Sequence, residues 1–130
     1  MVRFLLLLLL AFAACQKDES FSGYADPAAT YALKELNGAP FSATATIAFP
    51  EQGIVRGQGP CNSFSGAQTV PYPWIKIENI AVTKRACPDL AAEAAYFTAL
   101  QSMTLAEVLD EVLILSNDAG DEMVFRKVQP

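Results

Sequence analysis

The sequence predicts an α+β domain that is mainly β, with a curled, barrel-like antiparallel sheet and one packed α-helix. Two patterns lead to this fold class. Several short segments place apolar residues at every second position, whereas one Ala- and Leu-rich segment repeats them every three to four residues. Short connections predict antiparallel neighbours. About seven or eight short strands, rich in intervening Gly and Pro, are expected to curve and so hide their edges.

The strands are predicted from alternation along the chain. The predicted segments are 31–36, 43–49, 54–56, 74–83, 105–109, 112–116 and 122–128. Tyr31, Leu33 and Glu35 share one face of the first, which ends at the turn signal Asn37-Gly38. In the second, Ala43, Ala45, Ile47 and Phe49 share a face.

The single helix is predicted over residues 88–103. Its expected core stripe consists of Leu90, Ala94, Phe97, Leu100 and Met103. Pro88 suits the first turn, and either Asp89 or Cys87 could provide the cap.

The composition argues against several functional classes. The chain has no histidine, which excludes a Ser–His–Asp triad, an HExxH zinc site and an imidazole base. A net charge of −5 without a basic run argues against a nucleic-acid partner. The carboxylates that could serve an enzyme are interpreted as solvated turn charges: Glu78, Asp110, Glu111 and Asp121. We therefore predict no catalytic residue, no metal and no cofactor.

Residues 1–14 have the features of a secretory signal peptide. The apolar run that follows Arg3 is shorter than the roughly 20 residues of a membrane-spanning helix. Its end, Ala13-Ala14-Cys15, resembles the lipobox of bacterial lipoproteins, which implies an acylated Cys15 and a domain anchored in the cell envelope, facing the periplasm. An ordinary signal peptide cut after Ala13 or Ala14 is the alternative.

The residues after Cys15 predict location and domain boundaries. Bacterial lipoproteins are usually kept in the inner membrane by Asp after the cysteine, so Gln16 favours the outer membrane. Residues 15–29 mix charges with Ser, Gly and Pro and are predicted to be a flexible tether. The folded domain is then expected over residues 30–130.

The three cysteines predict one disulfide. If Cys15 carries lipid, Cys61 and Cys87 remain, and an oxidising periplasm would join them. A metal site on these two cysteines is the competing interpretation. It is weaker, because there is no histidine and no C-x-x-C spacing to complete four ligands.

Residues 55–66 are the densest local motif. Three glycines, Gly57, Gly59 and Gly66, imply positive φ or close backbone approach. As a phosphate cradle the segment lacks a third closely spaced glycine, a Lys-Ser/Thr pair and a following helix pattern. We interpret it as a tight corner closed by the disulfide.

This motif and a second cysteine block resemble the META domain family over about residues 30–127. The matching residues are Gly57, Gly59, Cys61, Asn62, Phe64 and Gly66, then Thr83, Ala86 and Cys87, then Glu93 and Phe97, then Leu113, Leu115, Gly120, Met123 and Phe125. The chain departs from the family pattern at Tyr31, Pro60 and Gln68. The resemblance implies a curled antiparallel sheet with a helix on one side, in a secreted or envelope-anchored protein linked to stress response and without an established catalytic activity.

The expected function is a non-enzymatic envelope module for stability, stress or binding, not an enzyme. Its predicted partners are the membrane, through the lipid on Cys15, and an unidentified envelope protein or small ligand. The alternative is a lipoprotein inhibitor of a hydrolase such as lysozyme, with Ser63 and Ser65 on an exposed loop entering the active site.

Overall fold

The computed structural model describes residues 21–129, in which nine strands, one α-helix and a short 3-10 turn form in chain order. The strands are β1 (Tyr31–Leu36), β2 (Ala39–Pro40), β3 (Thr46–Ala48), β4 (Gly53–Gln58), β5 (Ser63–Gln68), β6 (Ile77–Val82), β7 (Leu105–Leu109), β8 (Val112–Ser116) and β9 (Glu122–Lys127). The helix α1 is Leu90–Ser102, and the 3-10 turn is Phe21–Gly23.

All strands belong to one antiparallel sheet. Its order is β6-β5-β4-β3-β1-β9-β8-β7, and the two-residue β2 pairs with β1. The sheet curls until its two outer strands approach each other. Leu105 at the start of β7 bridges Trp74 before β6, and the Ile75 N–H donates to Thr104 O at 3.0 Å. The predicted fold class, a curled antiparallel sheet with a single helix, is confirmed.

Apolar residues that alternate along the strands fill the inside of the curl. Ala45, Ile47 and Phe49 are at most 1% exposed, as the alternation predicts. From β8 and β9 the core receives Leu113, Leu115, Met123 and Phe125. A core of this size accounts for much of the domain's stability, since each fully buried large apolar side chain contributes roughly 1.5–3 kcal/mol.

In β1 the predicted alternation is correct only for its first half. Tyr31 and Leu33 are buried, but a register shift relative to β9 lies between Leu33 and Glu35. Because such a bulge reverses the side-chain alternation, Glu35 is exposed and Leu36 packs against the core instead.

The predicted core stripe of the helix is wrong for its first half. Leu90 is 47% exposed and Ala94 is also exposed, whereas Glu93, Tyr96 and Leu100 face inward. Apolar periodicity misplaces the stripe because the inward-facing residue of the first turn is a carboxylate. Asp89 occupies the N-cap position without a side-chain capping bond.

The predicted domain boundary at residue 30 is also wrong, because residues 21–29 belong to the folded domain. Phe21, Ala25 and Ala29 are 2%, 4% and 8% exposed, and the Phe21 ring lies 4.0 Å from that of Phe49. The polar composition predicts a tether here, but three buried apolar side chains attach the segment to the core.

The signal peptide, Cys15 and the first part of the predicted tether, 15–20, lie outside the described residues. Within 21–129 no helix has the length and apolar character needed to cross a membrane.

Candidate functional site

The glycine motif forms two paired strands and a short turn rather than one extended corner. Gly57 lies within β4 and pairs with Phe64, and Gly66 lies within β5. Only residues 59–62 turn, and they are closed by a hydrogen bond from Gly59 N to Asn62 O of 2.7 Å. We call residues 59–62 the corner.

The three motif glycines provide room for close neighbours and are not among the positive-φ glycines. A Cβ on Gly57 would lie 2.0 Å from Thr46 O, and one on Gly59 would lie 2.7 Å from the Glu93 carboxylate. A Cβ on Gly66 would lie 2.9 Å from the Glu78 carbonyl. Of the two alternatives left open by the sequence, close approach is therefore the correct one.

A buried carboxylate and a buried amide join the helix to the corner. Glu93 and Asn62 are 6% and 5% exposed. Glu93 Oε1 accepts hydrogen bonds from the backbone N–H groups of Cys61 and Asn62 at 3.0 and 2.7 Å, and Oε2 accepts from Asn62 Nδ2 at 2.8 Å. The carboxylate thus meets donors that the tight turn leaves without backbone partners.

The same amide also holds the segment that follows β6. Asn62 Oδ1 accepts from the Thr83 hydroxyl at 3.0 Å and from the Arg85 N–H, while Asn62 Nδ2 donates to Arg85 O at 3.0 Å. Asn62 therefore connects three parts of the chain: the corner, α1 and residues 83–85.

These contacts decide the charge state of Glu93. Burial alone would raise its pKa, but the side-chain and backbone N–H groups of Asn62 and the Cys61 N–H outweigh it, so the pKa lies below the ordinary value. The residue is an anion at neutral pH. A carboxylate held this way is a poor general acid, because proton uptake would cost these hydrogen bonds.

Aromatic rings fill the space below the corner. The Phe64 ring lies edge-on to Phe97 at 5.2 Å and to Tyr96 at 5.9 Å. The Tyr96 hydroxyl donates to Thr46 O at 3.1 Å, and burial raises the pKa of Tyr96 far above its ordinary value. These rings are packing groups, and the Tyr96 phenol stays neutral.

The predicted disulfide is present. Cys61 and Cys87 are bonded, with their Cα atoms 5.7 Å apart, which overturns the alternative of a metal site on the two cysteines. No cluster of potential metal ligands occurs in the described part of the chain. The bond attaches the corner to the residue that precedes Pro88 and the start of α1.

Most of the predicted site residues meet at this place. Those brought together are Gly59, Cys61, Asn62, Phe64, Thr83, Cys87 and Glu93. Gly57 and Gly66 lie outside this cluster, where the absence of a side chain allows close approach of Thr46 O and Glu78 O, respectively. Sequence reasoning missed the role of Gln68, a buried residue that donates to Val70 O and accepts from Lys76 N at 2.8 Å each.

Other candidates from the sequence do not lie where an inhibitor loop or a catalytic site would need them. Ser63 and Ser65 lie in β5 between two paired strands, so the exposed loop on which the inhibitor alternative depended is not formed. Glu78 is an exposed partner of Lys76 at 2.9 Å, and Asp121 accepts from Asn117 at 3.1 Å.

Outside the core, the strands beside the corner present a polar surface that sequence reasoning also missed. A cleft of about 460 Å³ lies there, lined by Gln58, Cys61, Ser63, Thr83, Lys84 and Arg85. Arg56 lines an adjoining cleft together with Ser63 and Ser65. The adjacent pair Lys84-Arg85 was a possible signal, but it is too short to count as a basic run.

Solved structures share the fold. A protein from Burkholderia xenovorans, determined by NMR, is 20% identical with a TM-score of 0.65, over 78% of this chain and 83% of that one. A DUF4847 family protein from Bacteroides vulgatus is 14% identical with a TM-score of 0.60, over 75% and 90% of the two chains. At these identities the likeness concerns the fold alone. A search of curated proteins found no significant match.

The sequence comparison identifies the family directly. The pattern of the META domain matches residues 26–130, which includes every residue of the corner, α1 and the disulfide. That range also contains residues 26–29 of the segment whose composition predicts a tether. The chain therefore belongs to the META domain family.

Proposed function

We propose that this protein is a lipid-anchored, non-enzymatic META-domain module of the cell envelope that faces the periplasm and binds a partner there. The disulfide between Cys61 and Cys87 is the observation that carries the proposal. It occupies both cysteines of the domain, which leaves Cys15 as the remaining thiol of the chain, placed directly after Ala13-Ala14. A disulfide also fits an oxidising compartment such as the periplasm.

The folded domain begins close to Cys15 in the sequence, which limits how far it can lie from the membrane. Phe21 is fixed in the core, six residues after Cys15. Even a fully extended chain spans only about 3.6 Å per residue, so the domain would lie within about 22 Å of the lipid. Tyr24 and Tyr72 stack at 4.2 Å near this point, and Trp74 of the same loop is 56% exposed. Tyr and Trp are favoured at membrane interfaces.

A non-enzymatic role is supported by the buried polar groups. Glu93 is the single buried carboxylate of residues 21–129, and its hydrogen bonds all go to the corner. Within that range no buried side-chain nitrogen or oxygen lacks a partner. Polar groups used fully for folding are not available to activate a substrate.

The anchoring proposal is tested by mass spectrometry and membrane fractionation. We expect the mature N-terminus to be an acylated Cys15, and Cys15→Ser to release the protein from the membrane fraction. The double variant Cys61→Ser/Cys87→Ser is the control and should keep the lipid. A free amino terminus at another residue would contradict the proposal.

For the non-enzymatic role, the full chain is crosslinked to its partner in intact envelopes, and the crosslinked complex is then extracted in non-ionic detergent and identified. Turnover of an envelope substrate that is lost in Glu93→Gln but kept in a folded control would contradict it.

A further inference from the structure

We propose that the polar surface beside the corner is a binding site for a small soluble ligand that carries two or more anionic groups of the phosphate type. This surface, which we call the polar cleft, consists of Arg56, Gln58, Ser63, Ser65, Thr83, Lys84 and Arg85. The site goes beyond the proposed function and does not depend on the lipid anchor.

Strand pairing places these residues on one face. Arg56 pairs with Ser65 and Gln58 with Ser63 across β4 and β5, and the Thr83 N–H donates to Ser63 O at 3.1 Å. Because residues directly opposite in an antiparallel pair point to the same side, their side chains form a continuous floor. The Ser63 and Ser65 hydroxyls and the Gln58 amide of that floor can donate hydrogen bonds to a ligand, whereas the Thr83 hydroxyl already donates to Asn62 Oδ1.

Three cationic side chains lie beside this floor, at two separate places. Arg56 lies towards the middle of β4, and Lys84 and Arg85 lie beyond the end of β6. None of the three has a carboxylate partner among the described residues, whereas Lys76 and Lys127 are paired with Glu78 and Asp26. Arg56 lines one cleft and Lys84 and Arg85 line the adjoining one, and the two clefts share Ser63 and Thr83. Unpaired cations in two adjoining clefts fit a ligand with separated negative groups.

The backbone that carries two of these cations is fixed in advance. Asn62 Oδ1 accepts from the Thr83 hydroxyl and the Arg85 N–H, and Asn62 Nδ2 donates to Arg85 O. The disulfide at Cys61 forms one wall of the cleft. A site whose frame is held before binding loses less conformational entropy when the ligand arrives. Thus Asn62 positions the binding segment without touching the ligand.

The buried carboxylate Glu93 does not line the polar cleft. It lines a separate cleft with Lys84 and Arg85, where three N–H bonds from Cys61 and Asn62 engage its charge. The part of the polar cleft that Lys84 and Arg85 line has a volume of about 460 Å³, which falls in the range of small-ligand sites. In a chain of net charge −5, such a local cluster of cations would attract an anion that the rest of the surface repels.

The test is calorimetric titration of the full chain, in a non-ionic detergent at low salt, with inorganic pyrophosphate. We expect saturable binding with one site per chain, weakened by added NaCl. Lys84→Ala/Arg85→Ala should weaken it at least tenfold, and Arg56→Gln should weaken it severalfold. The matched control Lys34→Ala/Arg126→Ala removes the same two charges from exposed positions on β1 and β9 and should leave binding unchanged.

The proposal is overturned if pyrophosphate shows no saturable binding, or if the control variant loses as much affinity as the cleft variant. It is also overturned if Lys84 and Arg85 are needed only for adsorption to phosphatidylglycerol vesicles. Near-ultraviolet circular dichroism verifies that the variants fold, as expected for substitutions of exposed side chains. Equal pyrophosphate binding by Cys15→Ser would separate this site from the anchoring proposal.

Discussion

The carboxylate of Glu93 on α1 accepts hydrogen bonds from both the backbone N–H and the side-chain amide of Asn62 in the corner, at 2.7 Å to Oε1 and 2.8 Å to Oε2. Oε1 of Glu93 also accepts from the Cys61 N–H, so one helical residue binds two consecutive residues of the turn. The disulfide makes a second, covalent connection between the corner and the start of α1. One carboxylate and one disulfide thus join the corner to α1.

We expect Glu93→Gln to lower the free energy of unfolding by about 2–3 kcal/mol. The neutral amide has one acceptor oxygen, so its NH2 group would face Asn62 Nδ2, and a buried donor without a partner costs roughly 1–3 kcal/mol. Urea denaturation measures the change. Glu107→Gln, at an exposed position of β7, serves as the control and should change stability by less than about 0.5 kcal/mol. Equal effects of the two substitutions would contradict the prediction.

Stability should also depend on pH through Glu93. Its folded-state pKa lies below the ordinary value of 4.5, so its contribution is complete above that pH and is lost as pH falls through the folded-state pKa. We expect the midpoint of urea unfolding to decline below about pH 4.5 in the wild type and to decline less steeply in Glu93→Gln. Asp26 adds a second contribution of the same sign, because the Ala28 N–H and Lys127 lower its pKa. Parallel pH profiles of the two proteins would disprove the role of Glu93.

Gly57 and Gly59 should differ in their tolerance of substitution by alanine. A Cβ at Gly57 would lie 2.0 Å from Thr46 O, a backbone atom of the β3–β4 pair, whereas at Gly59 it meets the side chains of Glu93 and Phe97. Side chains can move more easily than a paired strand. We expect Gly57→Ala to cost more than about 3 kcal/mol and Gly59→Ala about 1–3 kcal/mol. Thermal unfolding ranks them, and the reverse order would refute the account.

Loss of the disulfide should destabilise the domain by about 2–4 kcal/mol. The bond closes a sequence separation of 26 residues that includes β5 and β6. Chemical unfolding with and without dithiothreitol measures the effect in the wild type, and Cys61→Ser should reproduce it. Reductant should leave Cys61→Ser unchanged. If the wild type is equally stable in both conditions, the bond does not contribute.

Most strands could be predicted because alternation is a local property of the sequence, and the disulfide because only two cysteines remain beside Cys15. Strand β5 was not predicted, since its glycine-rich sequence was interpreted as part of a corner. The corner could be interpreted only in part: glycine indicated close approach, but the atoms being approached, such as Thr46 O, come from distant segments. Glu93 was assigned through family resemblance rather than periodicity, since a rule that counts apolar residues places Leu90 inside and the carboxylate outside. The polar cleft could not be predicted because Arg56 and Lys84 are far apart in the sequence. They come to line adjoining clefts on one surface only when β4, β5 and β6 pair.

The segment before β1 should prove essential to the fold rather than a spacer. Phe21 is 2% exposed and contacts Phe49 and Tyr72 with ring separations of 4.0 and 5.9 Å. Removing a buried ring leaves a cavity, so we expect Phe21→Ala to cost about 3–5 kcal/mol. Trp74→Ala, at an aromatic residue that is 56% exposed, should cost less than about 1 kcal/mol. Urea unfolding compares the two variants. If Phe21→Ala is as mild as Trp74→Ala, residues 21–29 behave as the tether that their composition predicts, and the proposal that the domain lies close to the membrane loses its support.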